Sequence, residues 1–456
     1  MKTPLNSFNS EPWCAEVVWR GRIIAVLLLT LSLMLPNHAW AATNIVLSTD
    51  DLQQQIDAAA PGDVMVIQSG AYSGNISITK PLSFVRSGTN VVQWLGTASI
   101  NSTGKVTMVQ MNFSLAVTVV GGAELLIQDS ILNTTLNVTG GKVTVKRSNV
   151  AGRLDVASGE FTGLRMTNAG GVYAVATVGT GRQFVMAQSS ADYVSITGYK
   201  SWLAYNTFRQ LYQLDCNTLI VGNKGTFTQT PNGAHSVLDA QNCTIRAYNN
   251  VLVTSATSQS SVVWSVSIYG FRLTSCNGEI ANNTIWCSVS AYDGWWESVL
   301  MYARGIQSFG GGPILVKGNA IYAISSRSLA GGADYQSAYA VVGGPEIAEL
   351  SYCRFETTHG VNGVTPYQCS FGGLGLNGDY TPAFNSPCID AGPPEASFKD
   401  RDGTRNDIGF TGGPLYQPNG ATTSNPLLFL LMPAQRQVWK NAQPTLDVET
   451  TATAGH

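Results

Sequence analysis

One short phrase returns again and again between Glu124 and Tyr322, and it constrains the fold more than any other feature. Each copy alternates apolar and polar residues, reaches an Asn, Asp or Ser, and resumes with an apolar residue. Glu124-Leu-Leu-Ile-Gln-Asp-Ser-Ile-Leu, Lys142-Val-Thr-Val-Lys-Arg-Ser-Asn-Val and Gly278-Glu-Ile-Ala-Asn-Asn-Thr-Ile-Trp are three of them. The markers Asn112, Ser130, Asn149, Asn168, Gln188, Asn206 and Asn223 recur about every 17–20 residues, a period that belongs to stacked coils. Later markers at Asn249, Asn283 and Asn319 are about 26–36 residues apart, so loops are inserted there. Stacked amides at a turn satisfy groups that would otherwise be buried unpaired, which makes the Asn series structural.

The ends frame this repeat. Arg20 and Arg22 precede the apolar run from Ile23 to Leu35, and Ala39-Trp40-Ala41 supplies the small-residue pattern of a signal-peptidase site. An export leader over 1–41 is expected, with the chain destined for the periplasm, cell surface or medium. No other apolar stretch reaches the roughly 20 residues of a membrane span, so no transmembrane anchor is expected. After the leader, Thr49-Asp-Asp-Leu-Gln-Gln-Gln-Ile-Asp-Ala-Ala-Ala-Pro-Gly reads as a short amphipathic helix capped by Ser48 or Thr49. It would cover the apolar end of a solenoid, which otherwise invites association. Gly121-Gly122, Gly140-Gly141 and Gly170-Gly171 mark turns that need a positive φ. Only 12% of residues are charged and the net charge is −2, which argues against nucleic acid or an anionic membrane as partner.

Helix, Pro61-Gly62-Asp63, an apolar strand, Gly70-Ala71-Tyr72 and Asn75-Ile-Ser-Ile-Thr-Lys-Pro-Leu together resemble the opening of secreted right-handed parallel β-helix proteins of the pectin-lyase-like superfamily. The resemblance covers roughly residues 45 to 414. Ser386-Pro-Cys-Ile-Asp-Ala-Gly and Asp400-Arg-Asp-Gly-Thr-Arg-Asn-Asp-Ile-Gly resemble the closing segment of exported bacterial members. The implied fold is all-β, a right-handed parallel β-helix with an N-terminal capping helix, over 42–414, followed by a tail or extra strand over 415–456. The superfamily includes polysaccharide lyases, glycoside hydrolases, epimerases and adhesins. This sequence lacks the Asn-Thr-Asp, Asp-Asp, Gly-His-Gly and Arg-Ile-Lys blocks of the polygalacturonase branch, and the Asp-His and paired-Arg signatures of the pectate lyase branch. His359-Gly360 is half of one such block and reads better as a loop histidine.

Function on a solenoid sits in insertions that line one lateral face. The expected inserts are around 254–312 and 325–378. Trp264, Trp286, Tyr292, Trp295 and Trp296 fall in the first, and sugar rings lie flat on exposed indoles; the same rings could instead fill core under a loop. For hydrolysis two or three carboxylates must converge, for which Asp239, Asp293, Glu297 and Asp334 are candidates. For β-elimination, positive groups must neutralise a uronate, and Arg272 and Arg304 with Asp293 and Glu297 are the candidates. Asp400-X-Asp-Gly with Asp407 resembles the start of a calcium loop, or an Asp-Gly turn network. Cys216 with Cys243, Cys276 with Cys287 and Cys353 with Cys369 are the economical disulfide pairs, leaving Cys388. The leading reading is a glycan-binding exported β-helix whose partner is a polysaccharide or cell-surface glycan. A lyase or hydrolase on the same fold, and an adhesin or spacer, are the alternatives.

Overall fold

The computed structural model describes residues 41–229, 233–258, 265–291, 300–327, 336–422, 427–431 and 449–453. The expected leader therefore lies outside the described residues except for Ala41. From Thr43 onward the chain winds as a parallel β-helix, with three rows of parallel strands whose register shifts only between Cys276 and Gly278 and between Ile314 and Leu315 among the described residues.

Row A runs from Thr43–Val46 through Glu124–Gln128, Lys200–Ala204 and Thr244–Tyr248 to Ile347–Ser351. Row B runs from Gly70–Tyr72 through Lys224–Gln229 and Thr284–Ala291 to Ser370–Phe371. Row C runs from Ile76–Ile78 through Val172–Val175 and Gly233–Gln241 to Val361–Asn362. Alternating inward residues of the three rows fill one continuous core, with Phe84, Trp94, Phe113, Phe161, Phe184 and Phe355 fully buried in it. Parallel crossovers of this kind take the right-handed sense. This is the fold that the pectin-lyase-like resemblance implies.

Helix α1 spans Leu52–Ala58 and buries Leu52 and Ile56 against the first coils. Its cap is Asp51, whose Oδ1 accepts the Gln54 amide at 3.1 Å, and not Ser48 or Thr49. Asp51→Ala is expected to cost about 1 kcal/mol in a denaturant titration, the usual value of a carboxylate cap.

The corner between rows A and B explains the repeated phrase. In coil after coil it is a two-residue turn: a residue in the left-handed region, such as Asp129, Arg147, Gln188, Asn249 or Tyr352, then one that points inward. The backbone amide of the inward residue donates to the side chain of its equivalent in the next coil. Ser189 donates to Asn206 Oδ1 at 3.0 Å, Asn206 to Asn223 at 2.8 Å, Asn223 to Asn250 at 2.9 Å, Asn250 to Asn283 at 3.0 Å and Asn283 to Asn319 at 2.9 Å. The ladder ends on sulfur, with Asn319 donating to Cys353 Sγ and Cys353 to Cys369 Sγ, both at 3.4 Å. The sequence markers thus straddle adjacent positions. Asn206, Asn223, Asn283 and Asn319 are rungs, whereas Asn249 and Gln188 are the left-handed residues one position earlier, and Asn149 is exposed beside the true rung Ser148. The expected positive φ at Gly121, Gly141 and Gly171 is present.

In four successive coils the described row B and row C strands are separated by residues 230–232, 259–264, 292–299 and 328–335, which lie outside the described residues. Between them lie long strands, Ser265–Ala281 and Leu300–Lys317, which pass from row C into row A without a break. Much of 254–312 is therefore body of the solenoid. The closing segment does not stack as another coil. It doubles back along the A–B corner: Gly409 donates to Gly318 O, Phe410 to Thr284 Oγ1, Asn249 Nδ2 to Phe410 O, Tyr205 to Leu415 O and Gln188 Nε2 to Gly420 O. Beyond it, Leu427–Leu431 pairs antiparallel with Glu449–Thr453.

Candidate functional site

Row C carries most of the polar and aromatic chemistry on its outer side. One column of in-register residues reads Asp155, Tyr173, Ser195, Tyr212, Asp239, Arg272, Gln307. A second reads Ser236, Tyr269, Arg304, Tyr339, and Tyr302 lies beside it. Parallel register forces these side chains together, because residues a full coil apart in sequence stand about 4.8 Å apart in space.

Asp239, Arg272 and Arg304, proposed from sequence for catalysis, come together here. Arg272 Nη1 lies 3.2 Å from Asp239 Oδ2, with the Arg272 side chain 37% exposed and that of Asp239 17%. Burial pushes the Asp239 carboxyl above the usual range, opposed by the Arg272 guanidinium. Arg304 has no carboxylate partner among the described residues and donates to Gln307 Oε1. Both guanidiniums lie 5.9 Å from the centre of the Tyr269 ring, and that of Arg304 lies 4.9 Å from Tyr302. Asp239 Oδ1, Arg272 Nε and Arg304 Nε are buried without a hydrogen-bond partner among the described residues. On the coils before it, Arg153 sits 3.9 Å over Tyr173, whose ring is 5.5 Å from Tyr193. Tyr193, Tyr212 and Tyr302 were not singled out in sequence. The approximately one-coil spacing of Tyr173, Tyr193 and Tyr212 was the signal that could have found them.

Asp293, Glu297, Trp264, Tyr292, Trp295, Trp296 and Asp334 lie outside the described residues. Trp286 does not join the cluster. It belongs to the outer side of row B, stacked on Tyr322 with centroids 3.6 Å apart and approached edge-on by Tyr380 at 6.0 Å. His359 is held structurally, its Nδ1 accepting the Ala338 amide at 3.0 Å.

The acids of the closing segment are spent on their own turns. Asp400 accepts the amides of Asp407, at 3.0 Å, and Gly413; Asp402 accepts the Thr404 amide at 2.9 Å; Asp407 accepts the Asp390 amide at 2.9 Å. Among the described residues no three His, Cys, Asp or Glu side chains converge as a metal cage. These bonds form an Asp-Gly turn network. Burial raises Asp400 to about 6, with the Asp407 charge adding to the shift. A raised carboxyl favours the fold while protonated, so this contribution is present below the ordinary carboxylate value and lost as pH rises through about 6. Asp400→Asn is expected to flatten the fall in the unfolding midpoint between pH 4 and 7, measured by thermal denaturation across that range.

All seven described cysteines are thiols. Cys276 does not face Cys287. It stacks on Cys243, whose thiol is within hydrogen-bonding reach of both Cys216 and Cys276, while Cys287 donates to Arg304 O.

No protein-family model matches the chain, and no curated protein matches it in sequence. Among solved structures it is similar to the crystal structure of pectate lyase Pel9A, at 12% identity over 81% of this chain and 96% of that one, with a TM-score of 0.26. A superposition that loose carries no argument about function.

Proposed function

We propose that this is an exported protein that binds polysaccharide along the outer side of row C. The observation that carries the reading is the Asp239–Arg272–Arg304 cluster, set on a face lined by Tyr173, Tyr193, Tyr212 and Tyr302. Tyrosine rings offer flat apolar surface for the CH faces of sugars, and the guanidiniums and the carboxylate offer hydrogen bonds to hydroxyl or carboxylate groups. Among the described residues no helix is long and apolar enough to cross a membrane.

A second reading, that the same face is an active site, is favoured by the raised Asp239 carboxyl held against Arg272. Such a group titrates closer to the pH at which proton transfer is useful. The two readings separate in a turnover assay on polyuronates, glycosaminoglycans and neutral glycans, following unsaturated-uronate absorbance and new reducing ends. Binding without product supports the first. Product that disappears in Asp239→Asn and Arg304→Ala establishes the second, and neither binding nor product removes both.

A further inference from the structure

We propose that Cys353 and Cys369 are an oxidisable pair whose disulfide staples the last coil of the solenoid. The two occupy the same inward position in successive coils, 16 residues apart in sequence, with the Cys353 amide donating to Cys369 Sγ at 3.4 Å. Their thiols lie within hydrogen-bonding reach of each other. Neighbouring parallel strands place Cα atoms about 4.8 Å apart, inside the window that a disulfide spans.

Access distinguishes this pair from the rest. Cys216, Cys243, Cys276, Cys287 and Cys388 are buried, whereas Cys369 is half-buried on the final coil, where no further strand covers it. Hydrogen bonding from Cys353 holds the Cys369 thiol below its ordinary value, while burial pushes Cys353 up, so Cys369 is the attacking sulfur. The last coil also has the most to gain. Its row B strand, Ser370–Phe371, pairs over only two residues, and Tyr367 and Phe371 are exposed.

The oxidant is a low-molecular-weight disulfide. The Cys369 thiolate attacks one of its sulfurs and expels the other half as thiolate, which takes up the proton that Cys369 gave up. Cys353 Sγ then attacks Cys369 Sγ in the mixed disulfide and expels the second half, which takes the Cys353 proton. Two protein thiols are oxidised and one small disulfide is reduced to two thiols.

The test incubates the full chain with glutathione disulfide, alkylates the remaining thiols under denaturing conditions, and maps peptides by mass. The expected result is one Cys353–Cys369 linked peptide, with every other cysteine alkylated, and slower proteolysis between Thr357 and Gly373 that reverts on reduction. Cys353→Ser is expected to retain one glutathione on Cys369. Linkage among Cys216, Cys243 and Cys276 instead, a stable mixed disulfide on Cys369 of the unaltered chain, or no reaction would each overturn the proposal.

Discussion

Asn250→Ala is expected to lower the unfolding free energy by about 3 kcal/mol, and Asn149→Ala by less than about 0.5 kcal/mol, although both asparagines sit at the same corner of the repeat. Asn250 is fully buried. Its Oδ1 accepts from the amide and the Nδ2 of Asn223 at 2.9 and 3.1 Å, and its Nδ2 donates to Ile220 O at 3.0 Å and to Asn283 Oδ1 at 2.9 Å. Truncation leaves the Asn223 amide unpaired inside the core, removes the bonds to the Ile220 carbonyl and to Asn283 Oδ1, and opens a void, and each of these costs on the order of 1 kcal/mol. Asn149 is exposed, its Oδ1 accepting only from the Thr167 hydroxyl at 3.0 Å. Equilibrium denaturation of the two variants reads the contrast directly. Equal losses would mean that the ladder is not what holds the coils in register.

The second large effect concerns the site. Arg304→Ala is expected to weaken glycan binding by about 30-fold, equivalent to about 2 kcal/mol, with little change in stability. Arg304 has no carboxylate partner among the described residues, so among them truncation orphans no charge. Arg272→Ala should behave differently, because Asp239 would be left buried without its neutralising partner. It should lower stability as well as binding, and titration with glycan beside thermal unfolding separates the two. Tyr269→Ala is a further control. Tyr269 is only 6% exposed and supports both guanidiniums, so its loss should weaken binding through their placement.

Most of the fold was legible in the sequence for a physical reason. A coil repeats its inward residues, so Ser130, Asn206 and Asn223 announce themselves by near-constant spacing, and Asn283 and Asn319 by the same local phrase at longer intervals. The one-residue error at Asn249 and Gln188 arises because the left-handed residue and the rung are adjacent, and both favour Asn. The helix cap slipped from Thr49 to Asp51 for a similar reason, since several capping residues stand in a row. Asp239, Arg272 and Arg304 stood out in the sequence as candidate carboxylate and cations, and the structure brings them together on row C. The tyrosines of row C did not stand out, since the tryptophan-rich insert is the more conspicuous aromatic signal. The return path of residues 409–420 along the A–B corner left no period to read. It rests on hydrogen bonds to Gly318, Thr284, Asn249, Tyr205 and Gln188, residues far away in sequence.

The decisive measurement is the affinity of one retained glycan for three proteins: the unaltered chain, Arg304→Ala on the outer side of row C, and Trp286→Ala on the outer side of row B. The account predicts that Arg304→Ala loses about 30-fold while Trp286→Ala stays within about twofold of the unaltered chain. Loss of binding in Trp286→Ala with Arg304→Ala unaffected would move the site to row B and contradict it.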